Sequence, residues 1–275
     1  MQVPLRGQDG LVLILHAGER KAILRVYTLQ RRSKAEAHIR ASLLLLREGV
    51  RVPNIYYNCL DDAVEGLLFV LEEYIDGESR GTRKLTEENV RAIACQLARM
   101  HSILNPHWGM LGAERTDSYF RELRGCINSN LTILEKSRLL SNNERQKAEK
   151  WFLGFKDLVD KSFSLTQKDL HPGNAVFSSE NGEHYFIDVG RLQWRPAAEN
   201  VLRAHRKLFR DDEEKLLIFN EVYFAQLPRD LAAHTRDSLP FFTALQLLTT
   251  SAKSRNGSED TASHESLQRL RLLVL

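Results

Sequence analysis

The first 77 residues carry short hydrophobic runs separated by polar segments, a pattern that is typical of strands. The runs cover residues 11–15, 22–27, 54–58 and 67–72. Between the first two lies a short polar segment that contains Gly18, which predicts a β-hairpin. We therefore expect a small, β-rich region at this end of the chain.

One helix is predicted inside this region, from Ser33 to about Arg47. Its hydrophobic residues recur every three or four positions, at Ile39, Leu43 and Leu46. Ser33 stands three residues before Glu36, which is the spacing of a capping box at the start of a helix. The first 77 residues therefore predict a small mixed sheet with one helix.

Helical spacing dominates from Thr86 onward. Further helices are predicted over residues 118–138, 142–159 and 198–251. Shorter β runs interrupt them at residues 163–166, 175–179 and 185–189. Asn181-Gly182 predicts a tight turn between the last two runs. Residues 252–264 are interpreted as a polar linker and 265–275 as a short terminal helix.

This order predicts an α+β fold with two lobes. The small mixed β lobe covers residues 1–77, and a larger, mainly helical lobe covers residues 78–275. A β-hairpin is set inside the helical lobe.

The composition is that of a globular protein, with 43% hydrophobic and 27% charged residues. A membrane span needs about 18 apolar residues, and no run of that length occurs, so no transmembrane segment is expected. Three widely spaced cysteines and the lack of a secretion-signal pattern favour a cytoplasmic location. The net charge of +3 is dispersed, so no nucleic-acid partner is expected. The sequence does not indicate an oligomeric state.

The chemically informative segment is residues 167–174 (QKDLHPGN), followed by residues 186–190 (FIDVG). Phosphoryl transfer needs a carboxylate that orients the attacking hydroxyl and oxygen ligands that hold magnesium on the phosphates. Asp169 and Asn174 flank a Pro-Gly bend, so both side chains can enter one cleft. The Asn181-Gly182 turn can return the chain so that Asp188 lies beside Asn174.

These segments resemble the catalytic and metal-binding segments of the aminoglycoside phosphotransferase family, whose members are small-molecule kinases of the protein-kinase-like fold. Three further segments resemble the family in the same order: residues 23–25 its third strand, 69–77 its hinge between lobes, and 96–101 its "LarLH" helix. The resemblance covers residues 7 to about 190. It implies transfer of the γ-phosphoryl group of ATP, with Mg²⁺, to a hydroxyl of a small molecule.

The resemblance also implies a role for individual residues. Asp169 corresponds to the catalytic base, and Asn174 and Asp188 to the magnesium ligands. The remaining assignments concern ATP: Arg25 contacts its phosphates and pairs with Glu36, the backbone of Glu73 and Ile75 bonds its adenine, and Gly7 and Gly10 belong to its glycine-rich loop.

Several positions depart from the family pattern. Gln167 and Lys168 stand where a histidine and a glycine or arginine usually precede the catalytic aspartate, and the glycine-rich loop is short. In the family, a glutamate of the helix pairs with the basic residue that corresponds to Arg25. Counting back from Val52-Pro53 places this glutamate nearer to His38 than to Glu36. The segment after Asp188, residues 191–209, also departs from the family and is more similar to lipopolysaccharide-core sugar kinases. Two alternatives therefore remain open. One is a lipopolysaccharide-core sugar kinase, and the other is a catalytically impaired, nucleotide-binding pseudokinase scaffold.

Overall fold

The structure is a computed structural model that describes residues 11–81, 84–253 and 261–275. Gly7 and Gly10, the predicted glycine-rich loop, lie outside these residues. The described chain has the predicted α+β composition, with a β-sheet lobe followed by a mainly helical lobe. The predicted division at residue 77 stays a prediction.

The first lobe is built on a four-stranded antiparallel sheet. Its strands are β1 (Leu11–Ala17), β2 (Arg20–Thr28), β3 (Ile55–Val64) and β4 (Leu67–Glu73). They lie in the order β1-β2-β4-β3. All four predicted strands and the hairpin between the first two are confirmed.

Helix α1 (Arg32–Arg47) is present as predicted and packs against β2, β3 and β4, but its start and its buried face differ from the prediction. A 3-10 turn over Leu29–Arg31 leads into it, and no side chain caps it, so the capping box at Ser33 is wrong. Leu43 is exposed. The run of four leucines made the buried face ambiguous, and the face is set instead by Ala35, His38, Ala41, Ser42 and Leu45.

The second lobe contains eight helices and eight short strands among the described residues. The strands are β5 (Gly77–Ser79), β6 (Leu104–Asn105), β7 (Trp108–Met110), β8 (Ala113–Arg115), β9 (Phe163–Gln167), β10 (Ala175–Ser178), β11 (His184–Phe186) and β12 (Leu192–Arg195). The helices are α2 (Glu87–His101), α3 (Tyr119–Lys136), α4 (Asn142–Leu153), α5 (Lys156–Val159), α6 (Ala197–Lys207), α7 (Glu213–Gln226), α8 (Arg229–Lys253) and α9 (Thr261–Val274).

Two small sheets organise this lobe around the segments with predicted chemistry. β11, β10 and β5 form one sheet, and β6, β9, β12, β7 and β8 form the other in that order. A side chain at Gly77 would collide with the main-chain oxygen of Phe177, its Cβ only 2.2 Å away. Glycine at this position therefore lets the chain leaving the first lobe pair closely with β10.

The predicted helices are present, with different boundaries. The capping box at Ser141 and Glu144 is confirmed, and Thr86 with Asn89 forms a second one at the start of α2. The helix predicted over 142–159 is interrupted near Gly154, and the one over 198–251 divides into α6, α7 and α8. Strands β5–β8 and β12 were not predicted, because runs of two to four residues show no clear alternation.

The main hydrophobic core lies among the helices of the second lobe. It joins α2, α3, α6, α7 and α8 and extends to the strands that precede the functional loops. None of the described helices is long and apolar enough to cross a membrane.

Candidate active site

The loop after β9 holds the predicted base and one predicted magnesium ligand. Asn174 donates from its side-chain Nδ2 to the main-chain oxygen of Asp169, at 2.8 Å. The main-chain oxygen of Asn174 accepts from the amide of Ile187, at 3.0 Å, and Ile187 directly precedes Asp188. These two hydrogen bonds bring the segments of Asp169, Asn174 and Asp188 together.

A tight hairpin returns the chain from Asn174 to Asp188. β10 and β11 pair antiparallel, with Ala175 opposite Phe186. Gly182 has a φ of +68° in the turn, a conformation that glycine adopts without steric cost because it lacks a Cβ. The turn predicted at Asn181-Gly182 is therefore confirmed, and it returns the chain so that the segment of Asp188 lies beside that of Asn174.

The Asp169 carboxylate is open to a ligand. Its side chain is 47% exposed, and His171 Nε2 lies 3.8 Å from its Oδ1, too far for a hydrogen bond. The other ring nitrogen of His171, Nδ1, accepts from the amide of Gly173 at 3.0 Å. His171 therefore shapes the loop and leaves the carboxylate free to contact a ligand.

Asn174 and Asp188 offer the oxygen atoms that magnesium prefers. Because Nδ2 of Asn174 is bound to the main chain, its Oδ1 is left for a ligand. Asp188 is exposed and has a φ of +55°, a costly conformation that clusters at functional sites. Residues 11–81, 84–253 and 261–275 contain no group of three or more His, Cys, Asp or Glu side chains suited to a metal. The pair therefore fits magnesium only together with further oxygen ligands, such as those of a phosphate chain.

A buried hydrogen-bond network supports the loop from behind. Asn200 Nδ2 donates to the main-chain oxygen of Gln167 at 2.9 Å, and Asn200 Oδ1 accepts from Nε2 of His101 at 3.0 Å. His101 Nδ1 accepts in turn from the Tyr223 hydroxyl at 2.6 Å. Burial lowers the pKa of His101 to about 4, against the effect of its Asn200 hydrogen bond, so the ring is neutral at pH 7. His101, the last residue of the segment that resembles the family's "LarLH" helix, therefore anchors the loop.

Gln167 stands two residues before Asp169 and is fully buried. Its Nε2 donates to the main-chain oxygen of Ile187 at 3.4 Å, a long hydrogen bond that connects β9 to the segment of Asp188. Its Oε1 is buried without a partner among the described residues, at a cost of about 1–3 kcal/mol. Gln167 therefore braces the segment of Asp188 and leaves one buried acceptor unused.

Arg25 lies in a buried ionic cluster with Glu72 and His38. Arg25 Nε donates to Glu72 Oε1 at 2.5 Å, and His38 Nε2 donates to Oε2 of the same carboxylate at 2.8 Å. Burial alone would raise the pKa of Glu72, but the His38 hydrogen bond and the Arg25 charge lower it below its usual value. Burial also opposes the charge on Arg25. The negative charge of Glu72 and its hydrogen bond outweigh this effect of burial, with a smaller contribution from the charge of Asp188. The pKa of Arg25 is therefore raised.

The predicted pairing of Arg25 with Glu36 is wrong. The Glu36 side chain is 43% exposed and lies 3.8 Å from Arg32. Successive helix residues are about 100° apart around the axis, so His38, not Glu36, shares the buried face of α1. The carboxylate comes from β4 instead. Ile23 pairs with Glu72, which puts the Glu72 side chain on the same sheet face as that of Arg25.

The segment after β4 forms one wall of a cavity of about 1090 Å³. The β1–β2 hairpin forms another wall, and the apolar lining includes Ile14, Ala22 and Leu71. Tyr74 also lines the cavity. In the sequence it stands between Glu73 and Ile75, the two residues predicted to bind adenine. Within the described part of the chain, the Ile75 amide makes no main-chain hydrogen bond, so it is available to a ligand.

A second cavity of about 860 Å³, which we call the loop cavity, has Asp169 in its wall. Residues 168–171 form one side of it, and α3, α6 and α8 form the rest. Arg203 of α6 donates from Nη1 to the main-chain oxygen of Lys168, which ties this helix to the loop. A molecule bound in the loop cavity would therefore lie against the Asp169 carboxylate.

The sequence interpretation missed the roles of Glu72 and Asn200. Glu72 continues the alternation of Leu68 and Val70 on the buried face of β4, so an acid on that face was the available signal. Asn200 lies on the buried face of α6 that also contains Ala197, Val201 and Ala204. A lone amide on an apolar helix face is typical of a buried hydrogen-bond network, because burial without a partner is costly.

The sequence of this chain matches a known family over most of its length. A model of the phosphotransferase enzyme family, APH, matches residues 2–234. The chain therefore belongs to this family, which confirms the resemblance seen in residues 167–174 and 186–190. A search of curated proteins finds no match.

Solved structures of small-molecule kinases share the fold. The complex of APH(2")-IIa with streptomycin and ATP has a TM-score of 0.57 at 16% identity, covering 100% of this chain and 93% of that one. Aminoglycoside phosphotransferase APH(4)-Ia has a TM-score of 0.57 at 12% identity, covering 99% and 92%. A Plasmodium vivax ethanolamine kinase has a TM-score of 0.53 at 14% identity, covering 100% and 82%. The predicted two-lobed, protein-kinase-like fold is confirmed.

Proposed function

We propose that this protein is a kinase that transfers the γ-phosphoryl group of ATP to a hydroxyl of a small molecule. Membership of the phosphotransferase family and its kinase-like fold support this activity. The observation that carries the proposal is the convergence of Asp169, Asn174 and Asp188 on a loop held by two main-chain hydrogen bonds.

In this proposal Asp169 is the catalytic base. Its carboxylate orients the acceptor hydroxyl and takes its proton while the hydroxyl oxygen bonds to the γ-phosphorus. The bond between that phosphorus and the β–γ bridging oxygen breaks, and ADP leaves. The open Asp169 carboxylate in the wall of the loop cavity supports this role, because the acceptor can lie directly against it.

The nucleotide is assigned to the side of the loop that faces the sheet. In this proposal adenine lies in the 1090 Å³ cavity, beside Tyr74. The backbone of Glu73 and Ile75 bonds the adenine, and the guanidinium of Arg25 contacts the phosphates. Asn174 and Asp188 hold Mg²⁺, which neutralises phosphate charge when bound. Glu72 and His38 fix the guanidinium of Arg25, the role that the family resemblance assigned to Glu36.

Magnesium-dependent nucleotide binding tests this assignment. A ligand that binds only the folded state raises the melting temperature, so ATP should raise it more with magnesium than with EDTA. Asp188→Asn should abolish that difference, whereas the control Asp157→Asn, on an exposed position of α5, should retain it. A shift that does not depend on magnesium would favour the pseudokinase scaffold, and the lack of any shift would contradict both functions.

A further inference from the structure

The loop cavity is rich in positive charge. Five cationic side chains line it, against the carboxylates of Asp169 and Glu199; the cations are Lys168, Arg203, Arg206, Lys207 and Lys253. A cavity with this excess of positive charge attracts anionic ligands and repels cationic ones.

The second carboxylate in the cavity is already bound by neighbouring side chains. Glu199 Oε2 accepts from the Tyr119 hydroxyl at 2.7 Å, and its Oε1 lies 3.4 Å from Arg203 Nη2. Asp169, the proposed base, is the other carboxylate. In the described structure neither carboxylate forms an ion pair with Lys168, Arg206, Lys207 or Lys253.

Four of the cations have no carboxylate partner in the described ranges: Lys168, Arg206, Lys207 and Lys253. Arg206 is held in place across two helices. When the side-chain amide of Gln246 is oriented with its oxygen towards Arg206, that oxygen accepts from Nη1 at 3.2 Å and from Nε at 3.0 Å. A guanidinium positioned by a neutral partner keeps its full charge and its planar donors for an oxyanion.

The three cations of α6 and α8 that have no carboxylate partner in the described chain are distinct from the proposed nucleotide contacts. Arg25, Asn174 and Asp188 do not line the loop cavity, whereas Arg206, Lys207 and Lys253 do. Its other walls include the apolar side chains of Leu123, Leu202, Phe242 and Leu245. The cavity thus combines an anion-binding side, an apolar side and the Asp169 carboxylate.

We propose that the hydroxyl-bearing acceptor also carries an oxyanion group, a phosphate, sulfate or carboxylate, and that Arg206, Lys207 and Lys253 bind this group. This inference rests on the proposed function, since it names the substrate class of the same site. Polycationic acceptors are disfavoured, because their amines would meet like charges inside the cavity.

Calorimetric titration with sugars of matched size and different charge tests the proposal. The probes are glucose 6-phosphate, gluconate, glucose and glucosamine, and binding should be tightest for the anions and weakest for the amine. We expect glucose 6-phosphate to bind at least about tenfold tighter than glucose at low salt, with the difference shrinking as salt is added. Equal binding of the four probes, tighter binding of glucosamine, or no binding of either anion would overturn the proposal.

A double variant locates the anion site. Lys207→Gln with Lys253→Gln removes two exposed cations without an ion-pair partner in the described chain, so the fold should be retained. We expect roughly tenfold weaker binding of glucose 6-phosphate. Lys147→Gln, an exposed lysine of α4 outside the cavity, is the matched control and should change nothing. Unchanged anion binding in the double variant would contradict the assignment.

The same titrations separate this inference from the proposed function. Magnesium-ATP should not compete with glucose 6-phosphate, and competition would reassign the cations to the nucleotide and overturn the inference. If anions bind and depend on Lys207 and Lys253 but magnesium-ATP does not bind, the anion site stands and the kinase function fails. If magnesium-ATP binds normally and no anion does, the inference alone fails.

Discussion

Two groups of charges flank the proposed reaction centre, and they differ in almost every physical respect. In the sheet lobe, Arg25, Glu72 and His38 are buried and bonded to one another. In the loop cavity, Lys207 and Lys253 are exposed and have no carboxylate partner among the described residues. The first group is internally neutralised, and the second is not.

This difference separates charges that the fold compensates internally from charges that it leaves uncompensated. Burying a charge costs several kcal/mol unless a partner and hydrogen bonds compensate it, so the Arg25 cluster is a fixed part of the fold. Exposed cations cost the fold little and keep their charge for a ligand. The comparison predicts that mutations in the cluster reduce stability strongly, whereas mutations of Lys207 and Lys253 change ligand binding with little effect on stability.

Breaking the buried cluster should have the largest effect on stability. Glu72→Gln leaves the charge of Arg25 buried without compensation, so we expect a loss of about 3 kcal/mol in the free energy of unfolding. Lys207→Gln should change it by less than about 0.5 kcal/mol, because the side chain is exposed. Urea denaturation of both variants measures the difference. Similar values for the two variants would contradict the comparison.

Acid should destabilise the protein through its buried histidines. His184 is the clearest case because, unlike His38, which is paired with Glu72, it is buried without a hydrogen-bond partner in the described structure. Neither ring nitrogen of His184 has a partner in the described structure, and its ring packs on Phe186 with centroids 4.5 Å apart. Burial, with a contribution from the charge of Arg51, lowers the pKa of His184 to about 3. The unfolded chain binds this proton below about pH 6.5 and the folded chain does not, so stability falls as the pH falls from 6.5 towards 3.

The measurement is the free energy of unfolding between pH 7.5 and pH 5. His184 should account for a loss of about 2 kcal/mol over this range, with a similar part from His101. His184→Phe should remove its share, whereas the exposed His107→Gln should leave the pH dependence unchanged. A pH dependence that survives unaltered in His184→Phe would show that this histidine does not titrate as its burial requires.

The sequence predicted the geometry of the segment from Asp169 to Asp188 well because that geometry is local. Asp169, Asn174 and Asp188 are joined by a bend and a hairpin whose turn residues are visible in the sequence, and the turn at Asn181-Gly182 is confirmed. The roles of these three residues stay proposals. Their proximity followed from short-range rules of turns and strand pairing.

The partner of Arg25 could not be predicted in the same way. It depends on the register between β2 and β4 and on which face of α1 is buried, and both are set by packing between distant segments. The run of four leucines from Leu43 to Leu46 made the buried face of α1 ambiguous in the sequence. The spacing back from Val52-Pro53, which put the family's helix glutamate nearer to His38 than to Glu36, did indicate the face that is buried. The loop cavity posed the same difficulty, since its cations come from helices that the motifs do not fix in space.

The kinase proposal is tested most directly by the turnover of Asp169→Asn. ADP release from magnesium-ATP is measured with the acceptor that binds best among the four sugars of matched size, beside Asp157→Asn as the control. If Asp169 orients the hydroxyl and takes its proton, kcat should fall about 10²–10⁴-fold with nearly unchanged ATP affinity, while the control keeps full activity. Turnover of Asp169→Asn within a few-fold of the natural protein would contradict the account.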